Sequence, residues 1–105
     1  MGLELHSFHD KRADDRIAVF HRTRATGPES QSLALVIVDL SLSGMMARCD
    51  IAFIPGVHIR VRLPVIGEHP ARVCWSLGGR IGCAFCPALR ADDYDALLAA
   101  LAQAG

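Results

Sequence analysis

Aromatic side chains are scarce in this 105-residue chain, which holds one Trp, one Tyr and four Phe. A core must therefore come from Val, Ile, Leu and Ala, and with 51% hydrophobic residues there are enough of them for one globular domain. Net charge is lacking too: eleven basic residues face eleven acidic ones. That balance argues against DNA or RNA as a partner, because a duplex-binding surface needs a strong positive excess. Lysine is nearly absent: of the eleven basic residues only Lys11 is Lys and ten are Arg. Arg carries a planar fork of donors, so the chain is stocked for bidentate contacts to a small anionic ligand. No apolar run is long enough to span a bilayer, which excludes membrane insertion by a helix. No charged-then-apolar leader opens the chain, so the expectation is a cytoplasmic protein with reduced thiols.

Enzyme and metal signatures are missing as well. Ser41-Leu-Ser43-Gly44 lacks the Gly that a nucleophile elbow places before its Ser. The cysteines Cys49, Cys74, Cys83 and Cys86 contain one close pair, whereas a structural zinc site wants four ligands, often as two spaced pairs. The cysteines read as small buried hydrophobes, and Cys74 and Cys83 are expected on opposite faces. None of the five histidines has the i, i+4 spacing of a helical metal site. No metal, no cofactor and no catalytic residue is expected.

What is present is a series of short strands. Residues 1–16 are polar and aperiodic and read as a flexible N-terminal arm, with 17–105 as the folded domain. Ile17 to Ala25, Gln31 to Leu40 and Gly44 to Cys49 read as three strands, the second carrying the apolar run of residues 33–40. Val57, Ile59, Val61 and Leu63 alternate with His58, Arg60 and Arg62, which is a strand with one wet face. Ala71, Val73 and Trp75 alternate in the same way, which puts Trp75 on the core side. Gly78-Gly79 turns the chain back into Arg80 to Phe85. Tyr94, Leu97, Leu98 and Leu101 then fall at i, i+3, i+4 and i+7, one stripe of a helix, with Asp92 and Asp93 in its first turn. The fold class is all-β with a C-terminal helix: a six-stranded antiparallel barrel whose helix covers an opening or an edge.

Two constellations stand out. Arg12 and Arg16 lie four apart just before the first strand, and Asp39-x-Ser41-x-x-Gly44 follows the second. Taken singly, they read as a solvated charge cluster and as a β-turn. In this order they resemble the PilZ family, whose signatures are Arg-x-x-x-Arg and [Asp/Asn]-x-Ser-x-x-Gly. The resemblance runs from about Lys11 to Leu101 and includes the strand ending at Trp75, the Gly-Gly turn, the strand from Arg80 to Phe85 and the closing helix.

The resemblance implies a split barrel that binds the bacterial second messenger cyclic di-GMP, commonly as a self-intercalated dimer, and that is not an enzyme. It implies Lys11, Arg12, Arg16, Asp39, Ser41 and Gly44 as ligand-binding residues. Their chemistry suits that ligand. A guanidinium bonds bidentately to phosphate or to guanine O6 and N7. A carboxylate accepts from the guanine N1–H and exocyclic amine. Ser41 can bond ligand or backbone, and Gly44 permits a turn and close ligand approach. With no output domain in the sequence, the signal is expected to leave through an unidentified effector protein, such as a motility, pilus or polymer-synthesis protein, from a monomer or weak dimer. The sequence departs from the family pattern in two ways: Lys11 stands where many members carry another Arg, and Asp14 and Asp15 are available to pair with Arg12 and Arg16. Both keep a second reading open, a PilZ-type interaction module that has lost its nucleotide.

Overall fold

The computed structural model describes residues 15–104. Six strands, β1 (Ile17–Thr26), β2 (Ser32–Leu40), β3 (Gly44–Arg48), β4 (His58–Leu63), β5 (Gly67–Leu77) and β6 (Arg80–Phe85), precede one helix, α1 (Ala91–Ala104). The strands close into an antiparallel barrel in the order β1-β2-β3-β6-β5-β4. Closure comes from β1 against β4, where Ala25 faces Val61 and Thr26 faces Arg60.

The alternating residues decide which face is wet. In β4, Ile59, Val61 and Leu63 are buried and His58, Arg60 and Arg62 are exposed. In β2, Leu33, Leu35 and Ile37 point inward. Each such side chain contributes about 1.5–3 kcal/mol when fully buried. Gly78 and Gly79 both take positive φ and join β5 to β6 in a tight turn, which a residue with a Cβ adopts only under strain.

The helix packs against the barrel core. Leu97 is fully buried in the core, with Tyr94 and Leu101 packed beside it. Tyr94 donates its hydroxyl to the Leu40 carbonyl at 3.3 Å, and the Leu89 N–H donates to the Leu42 carbonyl at 2.9 Å. The helix and the segment leading into it therefore tie down the end of β2 and the β2–β3 turn.

Two irregularities change the faces along β2 and β5. Against β3, Ile37 pairs with Ala47 but Asp39 pairs with Met46, so Val38 is an extra residue. Against β6, Val73 pairs with Cys83 but Trp75 pairs with Gly82, so Cys74 is extra. A bulge reverses the faces beyond it. Trp75, expected on the core side, is instead 41% exposed on the outer wall. Cys74 is exposed as well, unlike buried Cys49 and Cys83 and half-buried Cys86, and so is not the buried hydrophobe expected of it.

Candidate functional site

The two motifs meet at the start of the barrel. Ala18 of β1 faces Asp39 of β2 across the ladder, which puts Arg16 within reach although 23 residues separate them. Arg16 Nη1 donates to Asp39 Oδ1 at 2.8 Å. The Arg16 side chain is 59% exposed and that of Asp39 16%, so the pair sits at the surface with its carboxylate partly shielded. Asp15 was an expected partner of the arginines, but the guanidinium of Arg16 is held by Asp39. Asp15 bears instead on Tyr94, whose phenol is held above its ordinary pKa by burial first and then by the carboxylates of Asp15 and Asp95. Lys11, Arg12 and Asp14, and with them residues 1–14 of the expected flexible arm, lie outside the described residues.

Ser41 and Gly44 are placed differently from Asp39. Ser41 is 2% exposed, and its Oγ accepts from the N–H of Gly44 at 3.1 Å and of Ser43 at 3.3 Å. Its own N–H donates to the Gly44 carbonyl at 2.9 Å. The hydroxyl is thus occupied by the turn. Gly44 is buried where β3 meets β6, and a Cβ there would overlap the carbonyl oxygen of Cys83. The close approach that Gly44 permits is that of a neighbouring strand. Together these residues fix the turn that follows Asp39.

The outer wall beside Asp39 forms a shelf. The ladders place Ala18, Asp39, Met46, Gly82 and Trp75 in one transverse row across β1, β2, β3, β6 and β5. At about 4.8 Å per strand, the row runs roughly 14 Å along the curved wall from Asp39 to Trp75, three strands round the closed barrel of six. The indole lies against Gly82, where an added Cβ would run into its ring. Trp75 is the functional candidate that alternation alone missed. The signal for it was the glycine three residues beyond the Gly-Gly turn, which leaves a bare strand for a ring to lie on. The thiol of Cys83, beneath this wall, is pushed up to about 12 by burial, with Cys74 and Cys49 adding to the shift, and so stays protonated and unreactive.

Two open concavities of about 650 and 520 Å³ lie farther along β1, sharing Arg22, Thr23 and Arg24. Arg62, Pro64 and Val65 line the first, and Val36 and Arg48 the second. They bring together none of the motif residues. The motif residues lie instead at the Arg16–Asp39 pair and the turn behind it. Among the described residues, no three His, Cys, Asp or Glu side chains cluster as metal ligands, and no helix is long and apolar enough to cross a membrane.

Comparison with known proteins agrees with this layout. The PilZ domain family profile matches residues 10–103. No curated protein matches the sequence. Among solved structures, the chain is similar to the PilZ domain of CeSA from a cellulose-synthesizing bacterium. That match has a TM-score of 0.56 at 23% identity and covers 69% of this chain and 80% of the other. The PilZ domain of Escherichia coli YcgR, solved with cyclic di-GMP, matches with a TM-score of 0.60 at 17% identity, covering 85% and 87%. Borreliella burgdorferi PlzA, in complex with cyclic di-GMP, gives 0.64 at 14% identity; 90% of this chain covers 43% of that one. At these identities the likeness speaks for the fold, and the profile match over nearly the whole length shows the family: the chain belongs to the PilZ domain family.

Proposed function

We propose that this chain is a receptor domain for cyclic di-GMP that works in the bacterial cytoplasm and passes the signal to a partner protein. PilZ domains are receptor domains for this ligand and not enzymes. The observation that supports the reading best is the ion pair that joins Arg16 of one motif to Asp39 of the other, at the head of a transverse row that continues over Met46 and Gly82 to Trp75.

On this reading Asp39 accepts from the N1–H and exocyclic amine of one guanine. Arg16 swings from the carboxylate to a ligand phosphate or to guanine O6 and N7. The Trp75 ring offers a π-face to a base. Arg12 and Lys11 add positive charge from the segment before Arg16. Ser41 and Gly44 serve the site by holding the turn behind Asp39, without a side chain to offer the ligand.

Calorimetric titration with cyclic di-GMP, beside linear GMP, tests the proposal. Specific binding of the cyclic ligand, weakened in Arg16→Ala, Arg12→Ala and Asp39→Ala, is expected. Hydrogen bonds to charged groups predict a loss of about 1.5–3 kcal/mol for Arg16→Ala. No binding by the parent protein rejects the receptor reading and leaves a PilZ-type interaction module. Binding that survives all three substitutions rejects the site.

A further inference from the structure

One same-face step from the shelf, two arginines confront each other. Arg48 ends β3, Arg80 begins β6, and the ladder pairs them directly. Both are exposed. Like charges directly opposite on neighbouring strands are destabilising. Neither arginine is in an ion pair among the described residues, where the pairs are Arg16–Asp39 and Arg60–Glu68, although Asp50 lines the same concavity as Arg48. Asp50, two residues after Arg48, is not within ion-pair distance of either arginine. The remaining neighbours of Arg48 along that wall include Arg22 and Arg24, which share its concavity. An anion resting between the two guanidiniums would turn the repulsion into attraction.

Arg80 also points at the shelf. Its Nη1 lies 3.9 Å from Met46 Sδ, and Met46 stands in the row between Asp39 and Gly82. The guanidinium therefore leans over the shelf floor, about two strand spacings, or roughly 10 Å, from Asp39 and its partner Arg16. A dinucleotide with two phosphates carries negative charge at both of its edges. One edge falls to Arg16, and the other, laid along the shelf, faces Arg80 and Arg48.

We infer that Arg48 and Arg80 form a second anion subsite of the shelf, which takes the ligand phosphate remote from Arg16. The inference rests on the receptor reading for its ligand, but not for its anion chemistry. Both residues lie outside the two sequence motifs, so a chain with intact motifs and no cation pair here would bind less tightly.

The test has two arms. In the first, Arg48→Ala and Arg80→Ala are titrated with cyclic di-GMP, with Arg62→Ala on β4 as the control. Each variant at the pair should weaken binding by about tenfold or more, as expected for a charged hydrogen bond, and Arg62→Ala should stay within about twofold of the parent. Variants at the pair that bind as the control does overturn the assignment. In the second arm the probe is inorganic pyrophosphate, read by thermal melting. It should raise the melting temperature of the parent and not that of Arg48→Ala/Arg80→Ala. This arm decides the matter if the parent ignores cyclic di-GMP: the receptor reading then falls, but stabilisation that needs both arginines upholds the subsite, and its absence overturns it. Misfolding is controlled by the ligand-free melts. Removing one of two facing like charges should hold or raise the melting temperature, whereas a structural role would lower it.

Discussion

Two glycines on the outer wall should respond to the same substitution in opposite ways. At Gly44 a Cβ would overlap a backbone atom, the Cys83 carbonyl oxygen, with Cys83 C at 3.2 Å and Ala84 Cα at 3.4 Å behind it. β3 and β6 must part by roughly 1 Å before carbon and oxygen reach contact distance. The Phe85 N–H to Ser43 carbonyl bond, 2.8 Å long, then stretches beyond hydrogen-bonding range. Overpacking costs about 1–3 kcal/mol and an unmade buried bond about 1–3 kcal/mol. Gly44→Ala should thus lose roughly 2–6 kcal/mol, a large share of the stability of a domain this size. At Gly82 the obstacle is the Trp75 ring, with Cδ1 at 2.9 Å among the nearest atoms. A half-exposed ring can swing away, and Ala loses less backbone entropy than Gly in a strand. Gly82→Ala should cost less than about 1 kcal/mol of stability, but it lifts the indole off the shelf. Stacking of a base on an aromatic ring is worth about 1–3 kcal/mol, so affinity for cyclic di-GMP should fall about tenfold. Urea unfolding followed by circular dichroism gives the stabilities, and calorimetry gives the affinities. The double variant Gly82→Ala/Trp75→Ala should bind no more weakly than Trp75→Ala alone. Gly44→Ala within 0.5 kcal/mol of the parent (about the scatter of neutral surface changes), or Gly82→Ala with unchanged affinity, would refute the reasoning.

Other outcomes follow from the same structure. Arg16→Ala should cost the ligand-free protein less than about 1 kcal/mol in urea unfolding, because its pair with Asp39 is more than half exposed on the Arg side and screened; a larger loss would make Arg16 a structural residue. Leu97→Ala removes the fully buried side chain through which α1 enters the core and should cost about 2–5 kcal/mol. Equilibrium unfolding checks it, and a cost below 1 kcal/mol would mean the helix is not needed to complete the core. The Cys83 thiol, pushed up from 9.0 to about 12 by burial, binds its proton more tightly folded than unfolded. Its contribution is therefore fully present below pH 9 and lost as pH rises toward 12, at up to roughly 1.4 kcal/mol per pH unit. Unfolding midpoints measured between pH 8 and pH 11 should fall less steeply for Cys83→Ala than for the parent.

The strands were legible where period and turn chemistry agree. The β4 alternation, the Gly78-Gly79 turn and the bounds of β6 read directly from the sequence, and so did the helix stripe. β5 was not legible at its start. It begins at Gly67, although Pro70 lacks a donor and argues against a strand. Pro70 pairs with Arg60 of β4, and its carbonyl accepts from the Cys86 N–H at 3.0 Å. Of the site, the association of Arg16 with the Asp39 turn was legible through the motif order. The division of labour inside the turn was not, because the letters Asp-x-Ser-x-x-Gly do not say which side chains face outward. Asp39 alone of the three presents its side chain to the wall; Ser41 and Gly44 are consumed by backbone geometry. The arginine pair at Arg48 and Arg80 was hidden for a different reason, since 32 residues separate them and only the β3–β6 register brings them together.

The two bulges explain why the site and the core can coexist. Without the extra residue at Val38, strict alternation from Leu33, Leu35 and Ile37 would turn Asp39 into the barrel. A carboxylate there would face apolar surroundings at a cost of several kcal/mol, or give up its charge. Without the extra residue at Cys74, alternation from Ala71 and Val73 would turn Trp75 inward too, into a barrel already filled by Ile37, Met45, Ile81 and Leu97. Each bulge moves one side chain that the core cannot hold to the outer wall. Because β2 and β5 flank β3 and β6 in the barrel order, both side chains emerge on the same transverse row. The irregularities that spoil a reading by period are thus what builds the shelf.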